Sequence, residues 1–320
     1  MDCRRLDIVI PLFNEEEIVE SLHRRVVAAA QQSNLDWRIV YVDDGSQDAT
    51  VGRLIESKSE IDRVEIIELS RNFGQPAAIL AGLDASDADA VVLMDGDLQD
   101  PPELIPKLVE KWLAGHNVVI ARREKRMETS RSRSLAFRGF HRLFAWLSDL
   151  EIPSDCGTFC LMSREAVTAI REMPESHRFF PGLRAWVGFR QTIIDYERPA
   201  RLGGEPKQTL RRLIGYAGDA IFGFSRKPVP LLCMSGGILL AGAFLVFTLA
   251  IIAWMSGITS GVGWTVVGCG LSAVAGLQLL STGLLAEVVF RIHEQVKQRP
   301  PYLIARRTSS ASRSVLRRAA

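Results

Sequence analysis

The stretch AVVLMDGDLQDPPEL, residues 90–104, combines a short apolar run with a cluster of acids and two prolines. An apolar, β-branched run of this length, ended by an Asp-Gly pair, predicts a buried β-strand followed by a loop. A helix is predicted to follow the loop, over Pro102–Leu113. The stretch therefore predicts a strand, an acidic loop at its carboxyl end and a helix.

The same alternation of strand and helix extends over residues 6–124. Strands are predicted at Leu6–Leu12, Trp37–Val42, Val64–Leu69, Ala90–Met94 and Asn117–Ala121, and helices at Glu15–Gln32, Ala49–Ser57, Pro76–Leu83 and Pro102–Leu113. Apolar strands that alternate with helices are typical of an α/β fold with a doubly wound, mostly parallel sheet. Such sheets bind ligands at the carboxyl ends of their strands, so the polar residues there are the candidates for a site.

Charged residues are concentrated where the predicted strands end. Asp43-Asp44 follow the second strand, Arg71 the third, Asp95-x-Asp97 the fourth and Arg122-Arg123 the fifth. Acids at two strand ends and arginines at two others indicate a site for a nucleoside diphosphate and a divalent cation. Asp95 and Asp97 are the sharpest element, because at a strand-to-loop turn both carboxylates can converge on one hard cation. Mg²⁺ and Mn²⁺ take carboxylate oxygens and complete their coordination with water and substrate phosphate.

The second half of the chain contains a long apolar stretch. No residue from Pro228 to Ala286 is charged. This stretch is long enough for two helices of about 20 residues that cross a bilayer. These spans are predicted near Val229–Met255 and Trp264–Val289, with the short turn Ser256–Gly263 between them. Basic residues flank the pair on both sides and are absent from the turn. The positive-inside rule therefore predicts a multi-pass protein of the inner (cytoplasmic) membrane, with the catalytic domain and both termini in the cytoplasm.

Two further segments border this apolar pair. Residues 207–225 predict an interfacial amphipathic helix that leads into the membrane. The tail from Lys297 onward carries seven Lys or Arg and no acid. The alternatives for this tail are contact with anionic membrane lipid and simple exposure to solvent. The predicted organisation is a cytoplasmic α/β domain over 1–206, an interfacial segment over 207–227, a transmembrane hairpin over 228–290 and a basic cytoplasmic tail over 291–320.

The overall composition excludes several classes of protein. The chain has 39 Lys and Arg against 37 Asp and Glu, so its net charge of +2 is too small for a bulk nucleic-acid binder. A hydrophobic content of 47% excludes a disordered chain. The five cysteines have no disulfide or zinc spacing, which indicates reduced thiols that face the cytoplasm.

Four blocks of the sequence resemble the family 2 glycosyltransferases. They are IVIPLFNEEE (8–17), YVDDGSQDAT (41–50), SRNFGQPAAILAGLDAS (70–86) and LMDGDLQDPPELIPKLVEKW (93–112). More narrowly, nearly the whole chain is similar to the polyprenyl-phosphate sugar transferases related to dolichol-phosphate mannose synthase, including the bacterial undecaprenyl-phosphate group. The resemblance implies a GT-A fold, Mg²⁺ or Mn²⁺ as cofactor, and inverting transfer of a sugar from a UDP- or GDP-sugar to a membrane polyprenyl phosphate.

The resemblance also implies roles for single residues, assigned motif by motif. The nucleotide-binding residues that it implies are Pro11, Asn14, Glu15, Asp43, Asp44 and Asp95, and the metal-binding ones are Asp95, Asp97 and Gln99. The residues implied for the diphosphate and the lipid phosphate are Arg123, Arg126, Arg131, Arg133, Arg201 and Lys207. The catalytic residues implied are Asp97, Asp155 and Arg133.

The chain departs from the family where Thr158 replaces an Asp and where Cys160 and Pro181 each replace an Arg. These changes raise an alternative, a catalytically impaired paralogue that acts as a binding or assembly subunit. The intact acidic motif favours an enzyme, and a phosphate acceptor is largely ionised at neutral pH and needs little help from a base. A processive polysaccharide synthase is disfavoured because its Gln-x-x-Arg-Trp signature is absent. Ser272-x-x-x-Gly276 would permit close helix packing in a homo-oligomer.

Overall fold

The computed structural model describes residues 4–58, 62–123, 156–175, 178–197, 228–256 and 262–309. These residues fall into two units. One contains the described residues up to 197 together with 300–309, and the other contains 228–256 and 262–299.

An eight-stranded sheet forms the centre of the first unit. Its strands are β1 Arg5–Leu12, β2 Asp36–Asp43, β3 Val64–Leu69, β4 Ala90–Leu93, β5 Val118–Arg123, β6 Cys156–Ser163, β7 Gln191–Tyr196 and β8 Ile304–Thr308. The order across the sheet is β7-β5-β6-β4-β1-β2-β3-β8. The pairs β1–β2, β1–β4, β2–β3 and β5–β7 are parallel, whereas β6 and β8 pair antiparallel with their neighbours. The predicted α/β fold with a mostly parallel sheet is therefore confirmed.

Helices cover both faces of this sheet. They are α1 Val19–Gln32, α2 Thr50–Lys58, α3 Gln75–Asp84, α4 Ile105–Leu113, α5 Arg164–Arg171 and α6 Phe180–Trp186, with a 3₁₀ turn at Pro102–Leu104 before α4. Helices α1 and α4 pack on one core, through side chains such as Leu22 and Leu108. Helices α3 and α5 pack on the other, through Ile79 and Val167. Because both faces are covered, the central strands are apolar on both sides, which explains their near-continuous hydrophobic runs.

The five strands predicted from the sequence are all present, and β6, β7 and β8 are additional. Strand β6 is inserted between β4 and β5 and runs antiparallel to both. Its register pairs Leu93 with Cys160, so the start of β6 lies beside the acidic loop that follows β4. The sequence CGTFCLMS of β6 contains glycine, threonine and two cysteines, and it carries a weaker strand signal than the Val- and Ile-rich runs.

The second unit contains two long apolar helices, α7 Pro228–Met255 and α8 Val262–Val296. By length and composition, Met234–Ala253 and Gly270–Val296 are long and apolar enough to cross a membrane. Large side chains such as Phe244 and Leu279 are exposed on them. Both predicted helices are therefore present, and the second extends to Val296. The predicted interfacial segment 207–225 lies outside the described residues, and the domain boundaries and membrane orientation stay predictions.

Candidate active site

The predicted nucleotide-binding loops meet at the carboxyl edge of the sheet. The parallel register pairs Leu12 with Asp43, so the loops after β1 and β2 leave the sheet side by side. The two loops are joined by hydrogen bonds. The Asn14 backbone N–H donates to Ser46 Oγ (2.9 Å), and the Gln47 backbone N–H donates to Asn14 Oδ1 (2.9 Å). Asn14 has a φ of 52°, a conformation that asparagine tolerates better than most residues.

Glu15 and Pro11 lie within the same framework. The Glu15 backbone N–H donates to Thr50 Oγ1 at the start of α2 (2.9 Å), and Pro11 is buried in β1 opposite Val42. Gly96 lies close to this strand, because a Cβ at Gly96 would come within 2.2 Å of Leu12 Cδ2. Glycine between Asp95 and Asp97 therefore lets the acidic loop pack directly against the end of β1.

Asp43 and Asp44 are adjacent in the chain but have different partners. Both oxygens of Asp44 accept backbone N–H groups of the next loop, from Phe73 (2.7 Å) and Gly74 (2.9 Å). Asp43 Oδ2 accepts the Ser46 backbone N–H (3.0 Å), and its buried Oδ1 accepts no hydrogen bond from the described residues. Burial raises the pKa of both carboxyls. Hydrogen bonds from the side chain and backbone of Ser46 oppose this increase at Asp43, and the backbone N–H groups of Phe73 and Gly74 oppose it at Asp44. Asp44 therefore anchors a loop, while Asp43 keeps one acceptor oxygen for a ligand.

Asp95 lies at the centre of a second acidic cluster. Its Oδ1 accepts hydrogen bonds from Gln75 Nε2 and from Thr158 Oγ1, each at 2.7 Å. Burial and the neighbouring Asp100 carboxylate raise the pKa of Asp95 to about 7, with a further contribution from Asp97, while the Thr158 hydrogen bond lowers it. Asp95 therefore lies close to other carboxylates, and a bound cation would reduce the repulsion between them.

Asp100 forms a buried hydrogen-bonded group with Tyr196 and Arg123. Asp100 is fully buried and accepts from the Tyr196 hydroxyl (2.7 Å) and from Arg123 Nη2 (3.4 Å). Arg123 Nε also donates to the Tyr196 oxygen at 3.1 Å. Burial lowers the pKa of Arg123, but Asp100 and Tyr196 outweigh it, and the net shift is upward. Arg123 is therefore a fixed cation, oriented by two partners beside the acidic loop.

The structure places Asp97 in the same loop, where its Oδ1 accepts the backbone N–H of Gln99 (3.1 Å). Leu98 between them has a φ of 57°, which marks a tight turn. Among the described residues, no group of three or more His, Cys, Asp or Glu side chains is arranged to hold a metal by itself. Asp95, whose pKa is raised, and the neighbouring Asp97 fit an Mg²⁺ or Mn²⁺ ion that takes its other ligands from water and substrate phosphates.

Thr158 and Cys160, which depart from the family pattern, lie on β6 next to this cluster. Thr158 donates a hydrogen bond to Asp95. The aspartate of the family pattern would instead place a second carboxylate beside Asp95. Cys160 is fully buried, and burial raises the pKa of its thiol despite the nearby Arg184 guanidinium. Arg184, on α6, is 1% exposed and donates to the Gly157 carbonyl (3.1 Å). A guanidinium therefore does lie beside β6, supplied by another element.

The described residues include part of the predicted site. Pro11, Asn14, Glu15, Asp43, Asp44, Asp95, Asp97, Gln99 and Arg123 all lie at the carboxyl edge of the sheet. The predicted residues Arg126, Arg131, Arg133, Asp155, Arg201 and Lys207 lie outside the described residues. Gln75, Asp100 and Tyr196 were not predicted as site residues. Asp100 is part of the LMDGDLQDPPEL block and could have been found there, whereas Gln75 and Tyr196 join the site only through tertiary contacts.

Comparisons with known proteins agree with this architecture. The family model described as "Glycosyl transferase family 2" matches residues 7–171. An uncharacterized glycosyltransferase of Synechocystis sp. is 37% identical, over 94% of this chain and 94% of that protein. A prophage bactoprenol glucosyl transferase homolog of Escherichia coli is 33% identical (94% and 99% covered), and the bactoprenol glucosyl transferase of Shigella phage SfX is 34% identical (95% and 99%).

Among solved structures, the chain is similar to glucosyl-3-phosphoglycerate synthase from Mycobacterium tuberculosis, in complex with Mn²⁺, UDP and phosphoglyceric acid. It is 20% identical with a TM-score of 0.49, over 68% of this chain and 76% of that one. The family match over half of the chain and the full-length relatives above 30% identity lead to one conclusion. The chain belongs to glycosyl transferase family 2 and is a glycosyltransferase.

Proposed function

We propose that this enzyme transfers a sugar from a nucleoside diphosphate sugar to a membrane polyprenyl phosphate, with inversion at the anomeric carbon. The observation that carries the proposal is the relation to proteins named bactoprenol glucosyl transferase. It extends over 94–95% of the chain, so it includes the two apolar helices as well as the sheet. A lipid acceptor gives those helices a function, because the acceptor is then confined to the membrane.

The nucleotide binds, in this proposal, over the loops after β1 and β2. Asp43 presents Oδ1, which accepts no hydrogen bond from the described residues, as an acceptor for a base or ribose donor. Asn14 and Glu15 hold the two loops together, and Asp44 fixes the third loop against them. A fixed, partly desolvated acceptor favours a ligand that brings its own N–H or O–H donor.

The diphosphate lies, in this proposal, beside Asp95, Asp97 and Arg123. A divalent cation held by the two aspartates supplies charge stabilisation for the leaving diphosphate when it is bound. Arg123 is held by Asp100 and Tyr196, so its positive charge is already in place when negative charge develops.

The transfer step is a displacement at the anomeric carbon. An oxygen of the acceptor phosphate attacks C1 of the sugar, the bond from C1 to the diphosphate oxygen breaks, and its electron pair leaves with the nucleoside diphosphate. A phosphate monoester has a second pKa of about 6 and is mostly ionised at neutral pH. Positioning of the two anions therefore matters more than removal of a proton, which agrees with a threonine at position 158.

The acceptor half of the site and the membrane orientation remain part of the proposal. Arg126, Arg131, Arg133, Arg201 and Lys207 are the cations proposed to neutralise the diphosphate and the lipid phosphate, and Asp155 is proposed to act beside them. Both termini are proposed to face the cytoplasm. In a background without the native cysteines, an impermeant thiol reagent added from outside is expected to label a cysteine at position 260 and not one at 309, and the reverse pattern would overturn the orientation.

A panel assay tests the proposed reaction directly. The detergent-solubilised full chain is incubated with undecaprenyl phosphate, Mg²⁺ or Mn²⁺ and, in turn, UDP- and GDP-linked hexoses and N-acetylhexosamines. One of them is expected to give a lipid-linked sugar with the inverted anomeric configuration, and Asp97→Asn is expected to give none. Nucleotide-sugar hydrolysis without any lipid product, or transfer to a soluble acceptor instead, would overturn the proposal.

A further inference from the structure

We propose that the C-terminal strand β8, with the preceding Tyr302 and Leu303, is a positioning element of the nucleotide-sugar site. It acts by holding the loop Ser70–Gly74, which we call the donor loop. The inference rests on the proposed function for the identity of the ligand, but its structural basis is independent of the acceptor. It also gives the basic tail a role other than lipid contact or solvation, the two alternatives that the sequence left open.

Strand β8 extends the sheet at the β3 edge, where the donor loop begins. The antiparallel register pairs Ile66 with Thr308 and Leu69 with Ile304, with an irregularity between Glu68 and Leu69. Beyond the last pair, the Ser70 backbone N–H donates to the Leu303 carbonyl at 2.8 Å. The first residue of the donor loop is therefore held by the tail.

Charged side chains hold β8 in this register. Arg306 lies 3.8 Å from Glu68, and Arg307 pairs with the buried carboxylate of Glu65. Glu65 also accepts from Arg38 (2.9 Å), which pairs in turn with Asp7 on β1. A continuous row of alternating charges thus crosses β1, β2, β3 and β8. Opposite charges on neighbouring strands stabilise a pairing, so the two arginines select β3 as their partner.

Tyr302 holds the tail to the far end of the helix that follows the donor loop. Its hydroxyl donates to Asp84 Oδ2, at the end of α3, with an O–O distance of 2.8 Å. Tyr302 and Phe73 of the donor loop both pack, partly buried, against the same hydrophobic core. The tail therefore contacts the first residue of the donor loop, shares a core with Phe73 of that loop and contacts the end of α3.

The opposite side of the donor loop faces the proposed nucleotide site. Asp44 accepts the backbone N–H groups of Phe73 and Gly74. Gly45, at a φ of 71°, lies so close that a Cβ there would be 2.6 Å from the Arg71 carbonyl carbon. The residue after the loop, Gln75, donates to Asp95. A displacement of the donor loop would thus disturb Asp44 and Asp95 together.

Two truncations of the full-length protein separate this role from a general effect of the tail. The test variant ends at Pro301 and lacks Tyr302, Leu303 and β8, and the matched control ends at Ser309 and keeps all of them. We expect the test truncation to raise the Kd for UDP or GDP and the KM for the sugar nucleotide by about tenfold, because the site is no longer preorganised. The KM for undecaprenyl phosphate is expected to stay within about twofold, and the control is expected to match the wild type.

Hydrogen exchange and a charge swap give readouts that need no turnover. Residues 70–75 should exchange faster in the test truncation and in Arg306→Glu, and adding Glu68→Arg to Arg306→Glu should restore their protection. Equal protection of residues 70–75 with and without β8 would overturn the proposal, as would a raised KM for the lipid alone. A wild type that binds nucleotide but forms no lipid-linked sugar would overturn the proposed function and leave this inference intact.

Discussion

The two acidic pairs at the carboxyl edge, Asp43-Asp44 and Asp95-x-Asp97, look alike in sequence and differ in structure. After β2, three of the four carboxylate oxygens accept backbone N–H groups, one at Asp43 and two at Asp44. After β4, one oxygen of Asp97 accepts the Gln99 backbone N–H, whereas Asp95 accepts from the side chains of Gln75 and Thr158 and lies beside two further acids. The first pair therefore supports the loops, whereas the second concentrates negative charge.

This difference shows that the donors around a carboxylate define its role better than its position after a strand. Backbone N–H groups come from the fold itself, so an acid with both oxygens bound to them, as in Asp44, contributes chiefly to stability. Side-chain donors and neighbouring acids leave a carboxylate dependent on a ligand cation. Substitutions at the two pairs should consequently affect different quantities.

The largest effect is expected for Asp97→Asn. It removes charge from the loop proposed to hold the cation, and loss of leaving-group stabilisation should lower kcat by at least about 10²–10³-fold. Thermal unfolding should change little, because Asp97 is partly exposed. Asp36→Asn is the control, since Asp36 pairs with Arg63 at the opposite end of β2. Turnover near the wild-type value with saturating Mg²⁺ or Mn²⁺ would refute the metal assignment.

A direct comparison of Asp43→Asn with Asp44→Asn should separate binding from stability. Asp44→Asn disturbs two backbone hydrogen bonds and should lower the free energy of unfolding by about 1–3 kcal/mol. Asp43→Asn should weaken nucleotide binding by roughly tenfold and leave stability unchanged or higher, because burial already disfavours its charge. Calorimetric titration with UDP and GDP, together with thermal unfolding, measures both. A greater loss of stability in Asp43→Asn would mean that the roles are reversed.

The raised pKa of Asp95 predicts a pH dependence of cation binding. Since that pKa is about 7, a proton competes with the cation at lower pH, and Mn²⁺ affinity should fall roughly tenfold or more between pH 7.5 and 5.5. The metal-free fold should show the opposite trend. Between the pKa of Asp95 in the unfolded chain and about pH 7, the folded protein keeps a proton on Asp95 that the unfolded chain has lost. The free energy of unfolding therefore falls as pH rises through that window. Electron paramagnetic resonance of free Mn²⁺ and thermal unfolding check the two trends, and Asp95→Asn should abolish both.

The sequence predicted the central elements of this molecule well and the edges poorly. Val64–Leu69 and the other four strands carry strong apolar runs, and helix starts are marked by residues such as Pro76 and Pro102. Strand β8, with the sequence IARRT, resembles a basic tail, because its pairing depends on Glu65 and Glu68 far away in the chain. Local sequence does not contain that information.

The same limit applies to the site. Asp95, Asp97 and Arg123 follow strands and could be located from the α/β pattern. Tyr196 is 96 residues from Asp100, and Gln75 is 20 residues from Asp95, so their hydrogen bonds emerge only when the sheet forms. The different contacts of Asp43 and Asp44 also emerged only with the positions of the Phe73 and Gly74 N–H groups.

The smallest effects are expected at Thr158, where three variants refine the description of the β4 cluster. Thr158→Val removes the hydrogen bond to Asp95 with little change in shape, so the pKa of Asp95 should rise further and the acid limb of the pH–rate profile should move to higher pH. Thr158→Ser keeps the hydroxyl and should behave as the wild type does. A structural defect alone would lower activity equally at all pH values.

Thr158→Asp addresses the alternative that the sequence left open, an impaired paralogue. The new carboxylate would stand where the Thr158 hydroxyl lies 2.7 Å from Asp95, and like charges at that distance increase the dependence on a cation. The variant should therefore require more Mg²⁺ or Mn²⁺ for half-maximal activity, with a change in kcat of less than about tenfold, because the phosphate acceptor arrives ionised. If the wild type forms no lipid-linked sugar with any donor and Thr158→Asp alone creates that activity, the threonine marks a disabled enzyme.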